Sequence, residues 1–293
     1  MRFVSDRDYV SRLYDAKLGC RPNLDRPRGF NEKILVKMLS DRRPLLTLFA
    51  DKLRVRDFVR EASPRLRLPT LYWWSNRAVE IPFDTLPNEF VLKANHGSGW
   101  VRIVEDKNSV RPRELRAQGK RWLASDFTIV GREWGYKNVR RALYAEQLLH
   151  HEARIPPDYK LFVFNGRVRL IQVDRDRFKR HTQVLYDELW NLIEGTVAAA
   201  QGGPAERPAS LAAMIEAAEA LSCGVDFVRV DLYEIDGKPY FGELTSSPNK
   251  GLSPFRPASL DLLLGSFLQL DDYSTQNRLC YDPDAFRERG TLV

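Results

Sequence analysis

Two strand-like segments near the C-terminus flank an Asp236-Gly237 pair, which is a strong sequence signal for a tight β-hairpin turn. Side chains alternate between the two faces of a strand, so the length of the turn decides which residues share a face. A two-residue turn would place Asp231 and Glu243 on opposite faces, whereas a three-residue turn with Gly237 in the left-handed conformation would bring them together. Both geometries predict an antiparallel strand pair in this part of the chain.

The charged residues of this hairpin suggest a metal site. In the three-residue geometry, one face of the sheet carries two carboxylates, a guanidinium and a hydroxyl, from Asp231, Glu243, Arg229 and Thr245. Carboxylate oxygens with few other protein ligands suit Mg²⁺, which keeps several waters and shares its coordination shell with nucleotide phosphates. A hairpin with a solvated charged face is the alternative, and the pattern alone favours neither.

The rest of the sequence mixes helical and strand patterns, which predicts an α+β fold. Asn165-Gly166 is typical of a type I′ turn and joins predicted strands at 159–164 and 167–173. Further strands are predicted at 90–92, 101–104 and 142–149. Helices are predicted within 5–62, at 112–123, at 211–221 after a Ser210 cap, and from a Ser259 cap to residue 268, with a loop at 198–208.

Charge and composition limit the classes of partner. The 293-residue chain has a formal net charge of +7, so polyanions or acidic substrates are favoured partners. Acidic residues are mixed throughout the sequence, and no helix-turn-helix, zinc-finger or RNA-binding signature is present, which argues against a nucleic acid. Hydrophobic residues make up 43% of the sequence, which predicts a globular chain and not a disordered one.

Neither a membrane span nor a secretory leader is expected. The longest apolar stretches, such as 260–268, are too short and too interrupted to cross a bilayer. Charged residues occupy the N-terminal positions where a signal peptide would need an apolar run. Cys20, Cys223 and Cys280 are odd in number and widely spaced, which is typical of reduced thiols. These features predict a cytoplasmic protein.

A glycine-rich segment between two predicted strands is a candidate phosphate-binding loop. Lys93 is followed at once by a run that includes Gly97, Ser98 and Gly99, and these glycines would let backbone N–H groups approach phosphate oxygens. The segment is not a Walker loop, because it lacks the Gly-Lys-Ser/Thr ending and precedes a strand where a Walker loop precedes a helix. A β-hairpin lid fits better, and an ordinary turn is the alternative.

The strand that opens the Asn-Gly hairpin begins with Asp158-Tyr159-Lys160. Asp158 and Lys160 should point to one face of the sheet, because they are two residues apart. A carboxylate that binds a hydroxyl group beside a cation that binds phosphate is one interpretation. A surface ion pair, worth a fraction of a kcal/mol, is the other.

Several motifs, taken in order, resemble those of the ATP-grasp enzymes. The similarity is closest to the TupA-like group, which is linked to teichuronopeptide and other bacterial polysaccharide biosynthesis. It spans most of the chain and rests on Phe30-Asn31-Glu32-Lys33, Ala50-Asp51-Lys52, Phe90-Val91-Leu92-Lys93 with Asn95-His96-Gly97-Ser98-Gly99, Gly131-Arg132-Glu133-Trp134 with Tyr136-Lys137-Asn138, Asp158-Tyr159-Lys160, and Arg229-Val230-Asp231-Leu232-Tyr233 with Gly242-Glu243-Leu244-Thr245.

The resemblance implies a nucleotide site for ATP. Lys93 and Lys160 would contact the phosphates, and the loop Gly97-Ser98-Gly99 would cover them. The strand Glu146-Gln147-Leu148 would hydrogen-bond adenine at the hinge between two lobes, and Asp158 would hold the ribose. Three regions follow from this comparison: a mainly helical flank at 1–75, a lid lobe at 76–145 and a C-terminal lobe with the Mg²⁺-binding hairpin at 146–293.

The resemblance also assigns roles to the C-terminal hairpin. Arg229 would face the transferred phosphoryl group, while Asp231 and Glu243 would bind one or two Mg²⁺ ions. Many ATP-grasp ligases carry Asn two residues after the metal-binding Glu, whereas this chain has Thr245, a weaker ligand through one hydroxyl. Apart from the resemblance, Arg177 and Arg132 are the best candidates to recognise an anionic acceptor, because a guanidinium pairs with a carboxylate at two points, and a solvated basic edge is the alternative.

The implied activity is ATP-dependent ligation of a carboxylate to an amine through an acylphosphate. Phosphoryl transfer needs charge neutralisation and positioning more than a protein nucleophile, and the lysines, the arginine and Mg²⁺ would supply both. The carboxylate would belong to a small molecule or a saccharide. A phosphotransferase acting on a sugar hydroxyl is the second hypothesis, and a basic nucleic-acid-binding module is the third. The sequence does not indicate an oligomeric state.

Overall fold

The computed structural model describes residues 4–150, 155–175, 181–197 and 199–273. It confirms the predicted α+β class, with helices concentrated in the first quarter of the chain. The α-helices are α1 (Asp6–Leu18), α2 (Phe30–Ser40), α3 (Pro44–Ala50), α4 (Val55–Ala62), α5 (Pro112–Ala124), α6 (Phe127–Gly131), α7 (Leu211–Leu221) and α8 (Ser259–Phe267).

Two antiparallel sheets account for most of the strands. The smaller sheet has the order β1-β4-β2-β3, and the larger has the order β11-β10-β5-β6-β7-β8, with β9 paired to β7. The strands are β1 (Leu71–Ser75), β2 (Phe90–Ala94), β3 (Val101–Val104), β4 (Leu143–Glu146), β5 (Asp158–Phe164), β6 (Arg167–Arg175), β7 (Thr182–Tyr186), β8 (Leu192–Ile193), β9 (Ala200–Gln201), β10 (Phe227–Ile235) and β11 (Lys238–Thr245).

The central hairpin of the larger sheet is the one that the Asn-Gly pair predicted. Phe164 pairs with Arg167, so the loop has two residues, and both Asn165 and Gly166 have positive φ angles of 45° and 83°. This is the geometry that a type I′ turn requires. The predicted β5–β6 hairpin is therefore confirmed.

Both faces of the larger sheet are covered by helices. One face packs on α3, α4 and α7 through residues such as Leu161, Val163 and Met214. The opposite face packs on α1, α2 and α8 around Phe30, whose ring centroid lies 4.9 Å from that of Phe227. Burial on both faces explains why β5 is buried along its full length.

Buried ionic contacts join α2 to the start of β10 and to the chain after α8. Lys37 Nζ donates to Asp41 at 2.7 Å and to Asp226 Oδ1 at 2.5 Å. Arg43 Nη2 also reaches Asp226 at 3.1 Å, and the Tyr273 hydroxyl donates to the other Asp226 oxygen. Asp226 is therefore the centre of a charged network inside the protein.

The smaller sheet packs on α5 through a separate core that includes Phe90, Leu92 and Leu115. β1 belongs to this sheet because it pairs with β4. The division of the chain into a flank, a lid lobe and a C-terminal lobe stays a prediction. β4 ends at Glu146, three residues before the predicted end of that strand. Ser259 is the first residue of α8 and not its cap, whereas α7 has the predicted bounds.

Helices suited to a bilayer are not found in the part of the chain that the structure describes, since none is both long and apolar enough to span one. Cys20 and Cys223 are exposed, and Cys280 lies outside the described residues.

Candidate functional site

The C-terminal hairpin β10–β11 closes with a two-residue turn. Ile235 pairs with Lys238, and both Asp236 and Gly237 have positive φ angles. The three-residue turn offered above as the way to bring the carboxylates together is therefore wrong. A β-bulge at Gly242 restores the register instead, so that Asp231 lies directly opposite Glu243.

Glycine is required at the bulge because the partner strand passes very close. A Cβ atom at Gly242 would lie 2.8 Å from the carbonyl oxygen of Asp231, which is shorter than real Cβ contacts. Gly242 thus allows the close approach that aligns the two acidic residues.

Replacing Gly242 with Ala should separate the strands at this point and destabilise the fold by about 1–3 kcal/mol, the range for overpacking. Glu243 should also be displaced from Asp231, so ATP turnover should fall by more than the loss of folded protein explains. Urea denaturation and an ADP-release assay would measure both effects. Gly203→Ala is the control, since nothing lies within 4 Å of a Cβ at that glycine, and equal behaviour of the two variants would refute the role of the bulge.

One face of the larger sheet changes from apolar to charged along its strands. On β5 the apolar positions Phe164 and Phe162 give way to Lys160 and Asp158, and on β10 Phe227 gives way to Arg229 and Asp231. The apolar end packs on α2 and α8. The charged end of the same face lies beyond that core and forms the candidate site.

Arg229 organises the acidic hairpin. Its Nε and Nη2 atoms donate to the two carboxylate oxygens of Asp231 at 2.6 and 2.7 Å, a two-point pair. Nη2 also lies 3.4 Å from Glu243 Oε1 and 3.2 Å from the Thr245 hydroxyl. The structure therefore places all four predicted residues of the hairpin together.

Glu243 is the more accessible of the two carboxylates. Its side chain is 37% exposed, whereas that of Asp231 is 6% exposed. Burial opposes ionisation of Glu243, but the nearby Lys52 and Arg229 outweigh it and lower the pKa of this carboxyl group. Glu243 is thus an ionised group that a ligand can reach from solvent.

Lys160 lies beside the hairpin and is surrounded by acidic groups. Its Nζ atom is 2.9 Å from Asp158, 3.1 Å from Asp174 and 3.7 Å from Asp231. Burial disfavours the ammonium, but Asp231 and Asp158 outweigh this effect and raise the pKa of Lys160. Lys160 therefore stays charged, and it shares a site with the predicted ribose-binding Asp158.

Lys93 contacts the strand predicted to bind adenine. Its Nζ atom donates to Glu146 Oε1 at 2.5 Å, and Arg56 donates to the other oxygen at 3.1 Å. The backbone N–H of Gln147 donates to Thr70, and Leu148 is buried. Lys93 and Glu146 are therefore brought together across the neighbouring strands β2 and β4.

The glycine loop is anchored to the helical flank through Asp51 and Asn95. Asn95 Nδ2 donates to Asp51 at 2.9 Å, and the carbonyl of Asn95 accepts the backbone N–H of Lys52. The Lys52 side chain then donates to the carbonyl of Gly97 at 2.8 Å. Its Nζ atom also lies 3.9 Å from Glu243. Lys52 consequently joins the glycine loop to the acidic hairpin.

A cavity beside Thr245 is lined by two further carboxylates, those of Asp41 and Glu133. The cavity lies between α2, α3, the 3₁₀ helix Trp134–Tyr136 and the end of β11. Burial raises the pKa of Glu133 to about 7, while Lys250 and Lys52 act in the opposite direction. Glu133 is thus less readily ionised than a surface glutamate.

Of the two arginines predicted to bind an anionic acceptor, Arg132 lies within the described residues. Arg132 donates to Asp6 and lies over the ring of Tyr9, 4.3 Å from its centroid. It therefore contacts α1. Arg177 lies outside the described residues.

Sequence reasoning gave no role to Lys52, Glu133 and Asp174. The first two lie in motifs that carry the family resemblance, and Asp174 follows the alternation of β6, in which Leu170, Gln172 and Asp174 share a face. That change from apolar to polar on one face was the signal available for Asp174. The proximity of Lys52 and Glu133 to the hairpin depends on tertiary packing.

A scan against protein-family models matched the TupA-like ATP-grasp family over residues 32–269. The chain belongs to the TupA-like ATP-grasp family. This match covers the helical flank after α1, both sheets and α8, and it includes every residue of the site described above. It confirms the predicted family.

Solved structures of ATP-grasp ligases are also similar to this chain. D-alanine–D-alanine ligase from Bacillus anthracis with ATP is 16% identical with a TM-score of 0.47, over 83% of this chain and 82% of that one. L-amino acid ligase from Bacillus licheniformis is 18% identical with a TM-score of 0.42, over 68% and 43%. The ligase PsnB with its minimal precursor, Mg and ADP is 15% identical with a TM-score of 0.39, over 70% and 52%.

This TupA-like chain spans about half the length of the PsnB structures that it matches. A comparison with curated protein sequences gave no match.

Proposed function

We propose that this TupA-like ATP-grasp protein is an ATP-dependent ligase that joins a carboxylate to an amine through an acylphosphate. The observation that carries the proposal is the contact of Lys52 with both the glycine loop and Glu243. That contact brings a loop suited to phosphate and a pair of carboxylates suited to Mg²⁺ to one place. The acceptor carboxylate would be a uronic-acid unit of a bacterial surface polysaccharide or a small acid of a related pathway, handled in the cytoplasm.

The residues present fit Mg²⁺. Asp231 and Glu243 lie opposite each other and offer carboxylate oxygens, with the Thr245 hydroxyl nearby. No cluster of three or more acidic, His or Cys side chains suited to a metal is found among the described residues. Two carboxylates are sufficient for an ion that takes its other ligands from phosphates and water. Bound there, Mg²⁺ would neutralise charge on the phosphates.

The protein's own groups would position the nucleotide. Lys93, Lys160 and Lys52 would neutralise the phosphate oxygens, with Gly97, Ser98 and Gly99 as the cover. Asp158 would hold the ribose, and Glu146, Gln147 and Leu148 would border the adenine. The ion pairs of Lys93 with Glu146 and of Lys160 with Asp158 hold the two side chains in place.

The reaction would proceed in two steps beside Arg229. An oxygen of the substrate carboxylate attacks the γ-phosphorus, the bond to the β-phosphate oxygen breaks, and ADP leaves. The amine nitrogen then attacks the carbonyl carbon, the bond from that carbon to the phosphate oxygen breaks, and inorganic phosphate leaves as the nitrogen loses a proton. Arg229 and Lys160 would stabilise the negative charge that develops on the transferred group.

Trapping with hydroxylamine tests the proposed reaction. The protein would be incubated with ATP, Mg²⁺, hydroxylamine and a panel of uronic and small carboxylic acids. A ligase should release ADP and form a hydroxamate only with its carboxylate substrate. A stable phosphoester with a sugar would instead indicate the phosphotransferase, and salt-sensitive binding to nucleic acid without ATP would indicate a nucleic-acid-binding module.

Lys52→Met should lower turnover by roughly 10²-fold, the effect of removing one preorganised charge donor from a phosphoryl-transfer site. Methionine keeps an unbranched side chain of nearly the same length but cannot neutralise phosphate or donate to Gly97. Steady-state kinetics of ADP release would measure the change. Lys120→Met removes the same charge from an exposed position on α5, so a similar loss in both variants would contradict a local role of Lys52.

A further inference from the structure

We propose that the cavity beside Thr245 binds the amine co-substrate and that the Glu133 carboxylate pairs with its ammonium group. This inference rests on the proposed ligase function and assigns the second substrate to a place in the structure. The ligand class is a primary amine with a small apolar substituent.

The position of the cavity supports this assignment. Its lining includes Thr245 and the two residues that follow it, Ser246 and Ser247, so it borders the end of the β10–β11 hairpin. Glu133 lines the same cavity as Thr245, two residues after Glu243. An amine held there would lie next to the site at which the acylphosphate forms.

The lining of the cavity defines the chemistry of its ligand. The lining includes the apolar residues Met38, Leu46 and Trp134 and the two serines. Within the described residues, no hydrogen bond or ion pair joins the Glu133 carboxylate to another side chain, whereas Lys37 and Asp41 in the same lining are paired with each other. Glu133 is therefore the acidic group in the lining that can accept an ammonium ion.

The local fold holds the segment that carries Glu133 in place. Gly135 follows Glu133 by two residues, and a Cβ atom there would lie 2.9 Å from the carbonyl oxygen of Leu46. The 3₁₀ helix Trp134–Tyr136 can therefore pack directly on α3. Tyr136 in turn lies under Lys52, whose Nζ atom is 5.6 Å from the ring centroid. The amine cavity and the nucleotide site thus share one supporting segment.

The test compares two nucleophiles that capture the same acylphosphate. Primary amines such as methylamine and L-alanine carry an ammonium group at neutral pH, whereas hydroxylamine is largely uncharged. Glu133→Gln should raise the KM for the best ammonium-bearing amine at least tenfold and leave hydroxamate formation within twofold. Glu133→Asp should recover part of the loss because it restores the charge, and Glu114→Gln on the exposed side of α5 is the matched control.

Each outcome is decisive. An equal loss with both nucleophiles would show a structural or nucleotide-binding role for Glu133 and overturn the inference, as would unchanged kinetics with both. A wild-type protein that forms no hydroxamate with any carboxylate would instead refute the proposed ligase function. The two failures are therefore distinguishable.

Discussion

Replacing Glu243 with Gln is expected to lower ATP turnover by roughly 10³-fold or more while the protein remains folded. The neutral amide keeps the size of the side chain but is a far poorer ligand for Mg²⁺. Loss of metal stabilisation is worth several kcal/mol in the transition state, and about 1.4 kcal/mol corresponds to each tenfold loss of rate. The substitution leaves Arg229 with its two-point pair to Asp231, so this partly buried guanidinium stays paired.

The matched control for this variant lies in the same hairpin. Asp236→Asn removes one negative charge from the β10–β11 turn, where Asn tolerates the positive φ angle of 51°. Its turnover should stay within twofold of the wild type. Coupled ADP-release assays at several Mg²⁺ concentrations would compare the three proteins. Normal turnover in Glu243→Gln would exclude Glu243 as a metal ligand.

The second large effect concerns stability and not catalysis. Asp226→Ala should lower the free energy of unfolding by about 3–5 kcal/mol, the cost of breaking a buried ion pair. The substitution leaves Lys37 without one of its two carboxylate partners, and the side chain of Lys37 is 1% exposed. Urea denaturation followed by circular dichroism would measure the loss.

An exposed ion pair provides the comparison. Asp25 pairs with Arg7, and its side chain is 83% exposed, so Asp25→Ala should cost less than about 1 kcal/mol. If Asp226→Ala and Asp25→Ala lowered the free energy of unfolding equally, burial would not explain how much the Asp226 network stabilises the protein.

The pH dependence of the free energy of unfolding should also show the contribution of ionised Asp226. Burial alone would raise the pKa of Asp226, but Lys37, Tyr273 and Arg43 outweigh it and lower the pKa. A carboxyl group with a lowered folded-state pKa contributes its full stability above the unfolded value of about 4 and loses it as the pH falls further. The wild type should therefore lose more stability than Asp226→Ala below about pH 4, as measured by urea titrations.

Local signals predicted much of the fold. The Asn165-Gly166 turn and helix α7 are set by nearby residues, and both were predicted with the bounds that the structure shows. The Asp236-Gly237 pair likewise forms the two-residue turn that its residue types favour. The bulge could not be predicted, because it depends on how closely Gly242 approaches a carbonyl of the partner strand.

Local signals likewise predicted part of the candidate site, whereas the rest depends on contacts between distant segments. Alternation along β10 placed Arg229 and Asp231 on one face, the hairpin pattern indicated Glu243, and the glycine-rich segment indicated Lys93. Lys52 reaches the site because Asp51 and Asn95 join the helical flank to the glycine loop across 44 positions of sequence. No periodicity in the sequence carries that information.

The measurement that tests the central claim most directly is a crystal structure with Mg²⁺ and a non-hydrolysable ATP analogue. The triphosphate should lie between Lys93 with the glycine loop on one side and Asp231 with Glu243 on the other, and Mg²⁺ should be bound to those two carboxylates. A nucleotide bound at the glycine loop with its phosphates directed away from Glu243, or bound in another cleft, would contradict the account.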